Sequence, residues 1–370
     1  MSESQVSQRH VNQHHVNQRR VRLTLNPNAL SHNLNRVREF AFNSQIMAVI
    51  KANAYGHGVL AAAKQLDAAD MFAVAMPEEA FFLRAAGCKK PLLVLHGFSN
   101  LQQLEKFSAL NISTVVHQHK QLDQLLNSKL SAPIDVWLKV DTGMHRLGIS
   151  VEDVDAYFAQ LNTSSSINEI YMMSHFANAD NVDNLLNKSQ LELFSKVNNS
   201  FKTRCSMANS AAIMRLPKSH FDVVRPGIML YGSSPFSDVS VANLDLQAVM
   251  QFESELISIK QINAGEAIGY GNTYVTNKNL TMGIVAAGYG DGYPRHAKNG
   301  TPVWLNGHSC SLLGRVSMDS ICIDLTGFAA SIGDRVVLWG NELSVDEVAM
   351  ASDSISYELL CNAGAAYFSK

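Results

Sequence analysis

Between residues 46 and 225 the chain repeats one unit eight times: a short apolar run without polar alternation, then a segment of helical spacing. The runs are 46–50, 71–75, 91–96, 113–116, 134–140, 169–174, 204–207 and 221–224, and many are rich in Val and Ile. Such runs suit parallel strands buried on both faces. The segments between them carry helical stripes, as at Phe81, Phe82 and Ala85 beside Glu78 and Glu79, or at Leu185, Leu186, Leu191 and Phe194. Eight strand–helix units predict an α/β fold, a (β/α)8 barrel of the TIM type. A doubly wound open sheet is the rival that strand count alone leaves standing. The polar residues favour the barrel. Lys51 follows the first run, Lys139 and Asp141 close the fifth, His175 ends the sixth, Asn209 and Ser210 follow the seventh, and Arg225 the eighth. In a barrel these ends converge on one mouth, whereas an open sheet spreads them along an edge.

A chain of 370 residues exceeds the roughly 250–300 at which a single core stops growing, so two domains are expected. The division read here is a polar arm at 1–20, the barrel at 21–238 and a mainly β domain at 239–370. In the last, strand-like runs at 249–259, 282–287, 302–305, 321–325 and 336–338 alternate with turn residues, Asn306-Gly307 among them. The strand-like segment 21–25 is a candidate to pair with that β domain. The arm repeats His-Val-Asn-Gln from His10 and again from His15, a possible metal-binding cluster, but with so little to bury it reads as a solvated arm. A formal charge of −2 gives no basic footprint for nucleic acid. No run reaches the roughly 18 apolar residues of a membrane span, and no export leader is visible, so a soluble cytoplasmic protein is expected. Cys88, Cys205, Cys310, Cys322 and Cys361 are scattered, without metal-ligand spacing; they read as reduced thiols, and no metal is expected.

A lysine at a strand's end is ordinarily a solvated charge. Lys51 instead leaves an apolar strand at the barrel mouth, where desolvation or a neighbouring cation lowers an amine's pKa and fits it for Schiff-base chemistry. Gly56 and Gly58 beside it let backbone approach a ligand closely. The octapeptide Lys51-Ala52-Asn53-Ala54-Tyr55-Gly56-His57-Gly58 resembles the cofactor-attachment motif of the alanine racemase family. The resemblance continues in order through Lys139–Arg146, Ser174-His175-Phe176, Asn209-Ser210, Val224–Ile228, Gly269-Tyr270-Gly271, Gly288–Tyr293 and Gly314–Asp319. It implies pyridoxal phosphate (PLP) bound to Lys51 as a Schiff base. By the same resemblance Tyr55, Ser210 and the backbone of Gly227 and Ile228 hold the phosphate, and Arg225, with His175 beside it, contacts the pyridine nitrogen. Arg146 touches the cofactor's phenolic oxygen and the substrate carboxylate, Tyr289 stands at the substrate entrance, and the backbone at Met318 lies near that carboxylate. Lys139 matches a lysine that is carbamylated in many relatives. The implied activity is interconversion of L- and D-alanine for peptidoglycan by a homodimer with shared sites, with Lys51 and Tyr270 as the two acid/base groups.

These roles make physical sense. Arginine at the pyridine nitrogen donates a hydrogen bond without giving up its proton. That leaves a weaker electron sink than a carboxylate partner would, which suits simple reprotonation. Without the resemblance Arg225 is a loop residue, His175 an ordinary histidine and Tyr270 a turn aromatic. The stretch Gly288–Gly292 lacks the spacing of a nucleotide loop. At the C-terminus the chain departs from the family: Ala365 stands where some relatives carry a phosphate-reaching tyrosine, leaving Tyr357 or Tyr367 as substitutes. A PLP decarboxylase is disfavoured by Arg225, and a non-enzymatic PLP carrier by the extra β domain. A racemase of wider scope, acting on serine or basic amino acids, stays open.

Overall fold

Each of the eight apolar runs contains a strand. The computed structural model describes residues 20–368, so the histidine repeat of the arm lies outside the described residues. After β1 (Arg22–Leu25) and α1 (Pro27–Phe40) come β2 (Gln45–Val49), β3 (Met71–Val74), β4 (Leu92–Val94) and β5 (Ser113–Val116). The series continues with β6 (Ile134–Lys139), β7 (Ile167–Met173), β8 (Cys205–Ser206) and β9 (Val223–Val224). All eight pair in parallel, in the order β8-β7-β6-β5-β4-β3-β2-β9. Side-chain and backbone hydrogen bonds fasten the seam between the two-residue strands β8 and β9. Ser206 Oγ donates to Val223 O at 2.5 Å, the Cys205 N–H to Asp222 Oδ2 at 2.8 Å, and the Arg225 N–H to Ala208 O at 2.9 Å.

Around the ring run α2 (Lys51–Tyr55, a single turn), α3 (Val59–Gln65), α4 (Pro77–Ala85), α5 (Leu101–Ala109), α6 (His119–Leu126), α7 (Val154–Asn162), α8 (Leu185–Phe201) and α9 (Ser210–Arg215). Each strand is thereby covered on both faces, which is why the sequence shows runs rather than alternation.

The second domain begins with β10 (Met250–Ile262), whose residues alternate between buried and half-exposed at its start. Its thirteen residues serve several partners. Residues 250–253 pair with β1, 252–255 with β17 (Arg335–Trp339), and 256–262 with β13 (Leu280–Val285), all antiparallel. With β11 (Ala267–Ile268) and β12 (Tyr274–Val275) forming a separate hairpin, β14 (Pro302–Leu305), β15 (His308–Leu313) and β16 (Ile321–Asp324) complete the main sheet. The strand order β1-β10-β13-β16-β15-β14-β17, with β17 back on β10, closes the sheet on itself. Asn306 and Gly307 make the two-residue turn between β14 and β15, both at positive φ (48° and 85°), the combination an Asn-Gly pair accepts most easily. Helices α10 (Val345–Ala351) and α11 (Ser356–Phe368) then return to the barrel, where α11 packs on α2. Ala365 is exposed on α11.

Asn33, fully buried on α1, ties the segment that leads into β10 to the barrel. Its Nδ2 donates to Leu230 O (3.0 Å) and Gln247 O (2.9 Å), and its Oδ1 accepts the Gln247 N–H at 2.9 Å. Asn33→Ala leaves these groups without partners, and buried unsatisfied groups cost about 1–3 kcal/mol each. Chemical denaturation should show a loss on the order of 3 kcal/mol; a loss below about 1 kcal/mol would mean that water replaces the amide.

Candidate active site

The barrel mouth encloses a cavity of about 360 Å³. Lys51, Tyr55, Lys139, Arg146, His175, Ser210, Arg225, Gly227 and Ile228, all expected at the site, line it together with His96, Asn209 and Tyr357.

Lys51 opens an unusual turn. Ala52, Asn53, Ala54 and Tyr55 all have φ between 52° and 55°, a left-handed helical turn that disfavours L-residues by roughly 1–2 kcal/mol each. Hydrogen bonds offset the strain: Gly56 N–H to Ala52 O and Gly58 N–H to Asn53 O, both at 3.0 Å, and Val59 N–H to Asn53 Oδ1 at 2.8 Å. Glu79 straps the start of the turn to the next strand's end. Its carboxylate accepts the N–H groups of Ala52 (2.6 Å), Ala75 (2.9 Å) and Met76 (3.0 Å). The clue to Glu79 was the Met-Pro-Glu-Glu start of α4, where Glu79 falls at the capping position; its reach to Ala52 is tertiary and has no local signature. Burial, then the charge of Arg146, lowers the Lys51 pKa below the usual lysine range, opposed by Glu79.

The opposite wall is cationic. Arg225 is 4% exposed. It donates to Ser206 Oγ (2.5 Å), Ser174 O (2.6 Å), His175 Nδ1 (3.2 Å) and Met207 O (3.3 Å). Every one of those acceptors is neutral. Burial brings its pKa down to about 10, which still leaves it a cation at neutral pH. Burial, then Arg225 and the lysines and arginine around it, holds His175 well below the usual imidazole range, so its Nδ1 stays free to accept from Arg225. Lys139, 8% exposed at the end of β6, is pushed down to about 8 by burial and then by Arg225 and Arg146. Arg146 is carried to the mouth by a turn that Asp141 organises: Asp141 Oδ1 accepts the N–H groups of Gly143 (3.0 Å), Met144 and His145 (3.1 Å each).

A third wall is small and tightly fitted. Ser210 Oγ accepts the Gly227 N–H at 2.9 Å, and a Cβ at Gly227 would stand 2.6 Å from the Tyr55 hydroxyl, so a side chain there would close this corner. The Tyr55 ring stacks on Tyr231 at 4.7 Å and meets Tyr357 at 5.9 Å. Tyr357, on α11, is the cavity-lining residue contributed from beyond the barrel; Tyr367 does not line it.

Three expected site residues are elsewhere in the chain. Tyr270 (69% exposed), Tyr289 (41%) and Met318 (54%) lie on the β domain and do not line this cavity. Tyr289 and Met318 are neighbours, and Arg315, three residues before Met318, reaches the Tyr270 turn. The N–H groups of Tyr289 and Gly290 donate to Ser317 O (3.1 Å) and Met318 O (2.9 Å), and the Arg315 guanidinium packs against the Tyr270 turn at Gly271.

Two family models, "Alanine racemase, N-terminal domain" and "Alanine racemase, C-terminal domain", match residues 25–235 and 249–369. The alanine racemase of Nitrosococcus oceani is 48% identical over 91% of this chain and 95% of its own. The protein of Escherichia coli O6:H1 named "Alanine racemase, biosynthetic" is 44% identical over 91% and 94%. Among solved structures, biosynthetic alanine racemase from Pseudomonas aeruginosa superposes with a TM-score of 0.90 at 40% identity, covering 93% of this chain and 96% of that one. Sequence, fold and the ordered motifs agree, and the chain belongs to the alanine racemase family.

Proposed function

We propose that this chain interconverts L- and D-alanine with PLP held in the barrel mouth, supplying D-alanine for peptidoglycan from the cytoplasm. The observation that carries the reading is a buried guanidinium, Arg225, bonded only to neutral acceptors in a cavity whose other wall is the Lys51 amine. The names of the relatives favour alanine over a wider range of amino acids. The residues also fit the cofactor. Lys51 offers an amine of lowered pKa as its anchor, and Ser210, Gly227, Ile228 and Tyr55 form a corner of the cavity that would receive the phosphate, with Tyr357 alongside. Arg225 offers a permanent donor to the ring nitrogen, and Arg146 a cation for the phenolic oxygen and the substrate carboxylate.

When bound, PLP withdraws electrons from alanine's α-carbon and makes its hydrogen acidic. Lys51 Nζ moves that proton on one face and the Tyr270 hydroxyl on the other. Because Tyr270, Tyr289 and Met318 do not line their own chain's cavity, they serve the mouth of a second copy in a twofold dimer. Incubation with L-alanine should then abolish optical rotation, with serine, lysine and arginine left unchanged over the same time. Lys51→Ala should lower the alanine rate by roughly a thousandfold and lose the cofactor that borohydride fixes to the wild type. Persistent fixation would place the anchor at another lysine.

The shared site makes a sharper demand. Lys51→Ala and Tyr270→Ala, each inactive alone, should complement when mixed. A twofold heterodimer has one doubly damaged site and one intact site, so full exchange restores roughly a quarter of wild-type activity. Demonstrable exchange without recovery would place both residues of each site on one chain.

Lys139 is read as a carbamate. With its pKa near 8, about a tenth of the amine is neutral at pH 7. Addition of that neutral amine to CO2 forms the N–C bond and releases one proton; counted from the ammonium form two protons leave, and a cation is replaced by an anion facing Arg146 and Arg225. Protein prepared in ¹³C-bicarbonate should show one extra carbonyl resonance that Lys139→Arg lacks. A resonance retained in that variant, or none in the wild type, would leave Lys139 a plain amine.

A further inference from the structure

We infer that His57 is a positioning residue: its imidazole holds the left-handed turn by the carbonyls of Ala54 and Tyr55, and so sets where Lys51 Nζ and the Tyr55 hydroxyl stand in the cavity. His57 is fully buried, and its Nδ1 lies 3.0 Å from both carbonyl oxygens. Carbonyls only accept, so Nδ1 carries the proton. Nε2 is then a bare acceptor, buried and without a partner. A position serving packing alone would be better filled by phenylalanine, which has no polar atom to strand. What imidazole adds over phenylalanine at this place is one N–H, aimed at the two carbonyls that end the strained turn.

The ring also ties the turn to the strand that launches it. His57 stacks on Tyr231 at 4.7 Å, Tyr231 stacks on Tyr55 at the same separation, and the Tyr231 hydroxyl donates to Val49 O at 3.0 Å. Val49 ends β2, two residues before Lys51. One run of contacts therefore links the strand end, the ring pair, the carbonyls of the turn and the Tyr55 hydroxyl beside Gly227. Burial holds His57 down to about 4, so the donor form persists from acid to alkaline pH and the clip does not open as pH changes. Without the N–H, residues 52–55 lose a bond that favours positive φ, and the turn relaxes toward the right-handed region with Lys51 displaced.

The inference rests on Lys51 as the anchoring amine, and peptide mapping of the borohydride-reduced wild type tests that separately, before any variant is made. The full-length protein is titrated with PLP, reduced at each concentration and mapped by mass spectrometry. His57→Phe keeps the ring stack and loses the donor. It should melt close to the wild type, need roughly tenfold more PLP for half-maximal fixation at Lys51, and lose kcat with little change in KM for alanine. His57→Asn restores an N–H at the cost of the stack. It should melt lower yet return half-maximal fixation to within about threefold of the wild type. If His57→Phe does not fold, His57→Ala, which also lacks the donor but does not crowd the site, is read in its place. A donor-less variant with wild-type fixation and kcat, or an equal loss of fixation in the asparagine variant, overturns the assignment.

Discussion

The barrel mouth gathers positive charge and pairs none of it with a carboxylate, and much of the surrounding structure follows from that. Lys51, Lys139, Arg146 and Arg225 line one cavity, and none of them is ion-paired among the described residues. The nearest acids are occupied: Glu79 binds backbone N–H groups at the Lys51 turn, and Asp141 binds those of its own turn and His145. Unpaired buried charge costs several kcal/mol per ion, a cost the fold meets with neutral acceptors around Arg225 and with lowered proton affinity at Lys51, Lys139 and His175. A ligand bringing a phosphate and a carboxylate relieves the same imbalance.

The parallel barrel is what lets so few residues impose this. Eight strand ends meet in one ring, so side chains from β2, β6, β7 and the loops after β8 and β9 face a common space without any one segment bending far. The exception is the segment after β2. There the chain turns left-handed for four residues, and the strain is stored beside the amine that needs exact placement.

The barrel itself was legible in the sequence because strands buried on both faces appear as unbroken apolar runs, and four polar residues of the cavity wall sit where a run stops. That rule places Lys51, Lys139, His175 and Arg225 at the cavity, while their expected roles came from the family resemblance. The left-handed turn was not legible: Ala-Asn-Ala-Tyr carries little local preference for positive φ beyond its asparagine, and Glu79 and Tyr231 meet the turn from across the fold. Tyr357 was weighed only as a substitute for a missing tyrosine, since nothing local says that α11 folds back onto α2. Tyr270, Tyr289 and Met318 stand out by their motifs but do not line their own chain's cavity, and one chain's pattern of hydrophobicity does not say which cavity an exposed residue lines.

The contact between α2 and α11 bears on how the molecule is made. Gly56 has no room for a side chain because the Leu360 carbonyl occupies that space, and Gly364 is likewise closed off by the Gly56 carbonyl. The two glycines stand near opposite ends of the described chain. During synthesis the barrel's strands are available before residues 356–368, and until those have emerged the turn carrying Lys51 lacks its outer wall, Tyr357 included. The nascent barrel thus has an unfinished mouth, and the Lys51 amine is seated only once α11 has folded back onto α2.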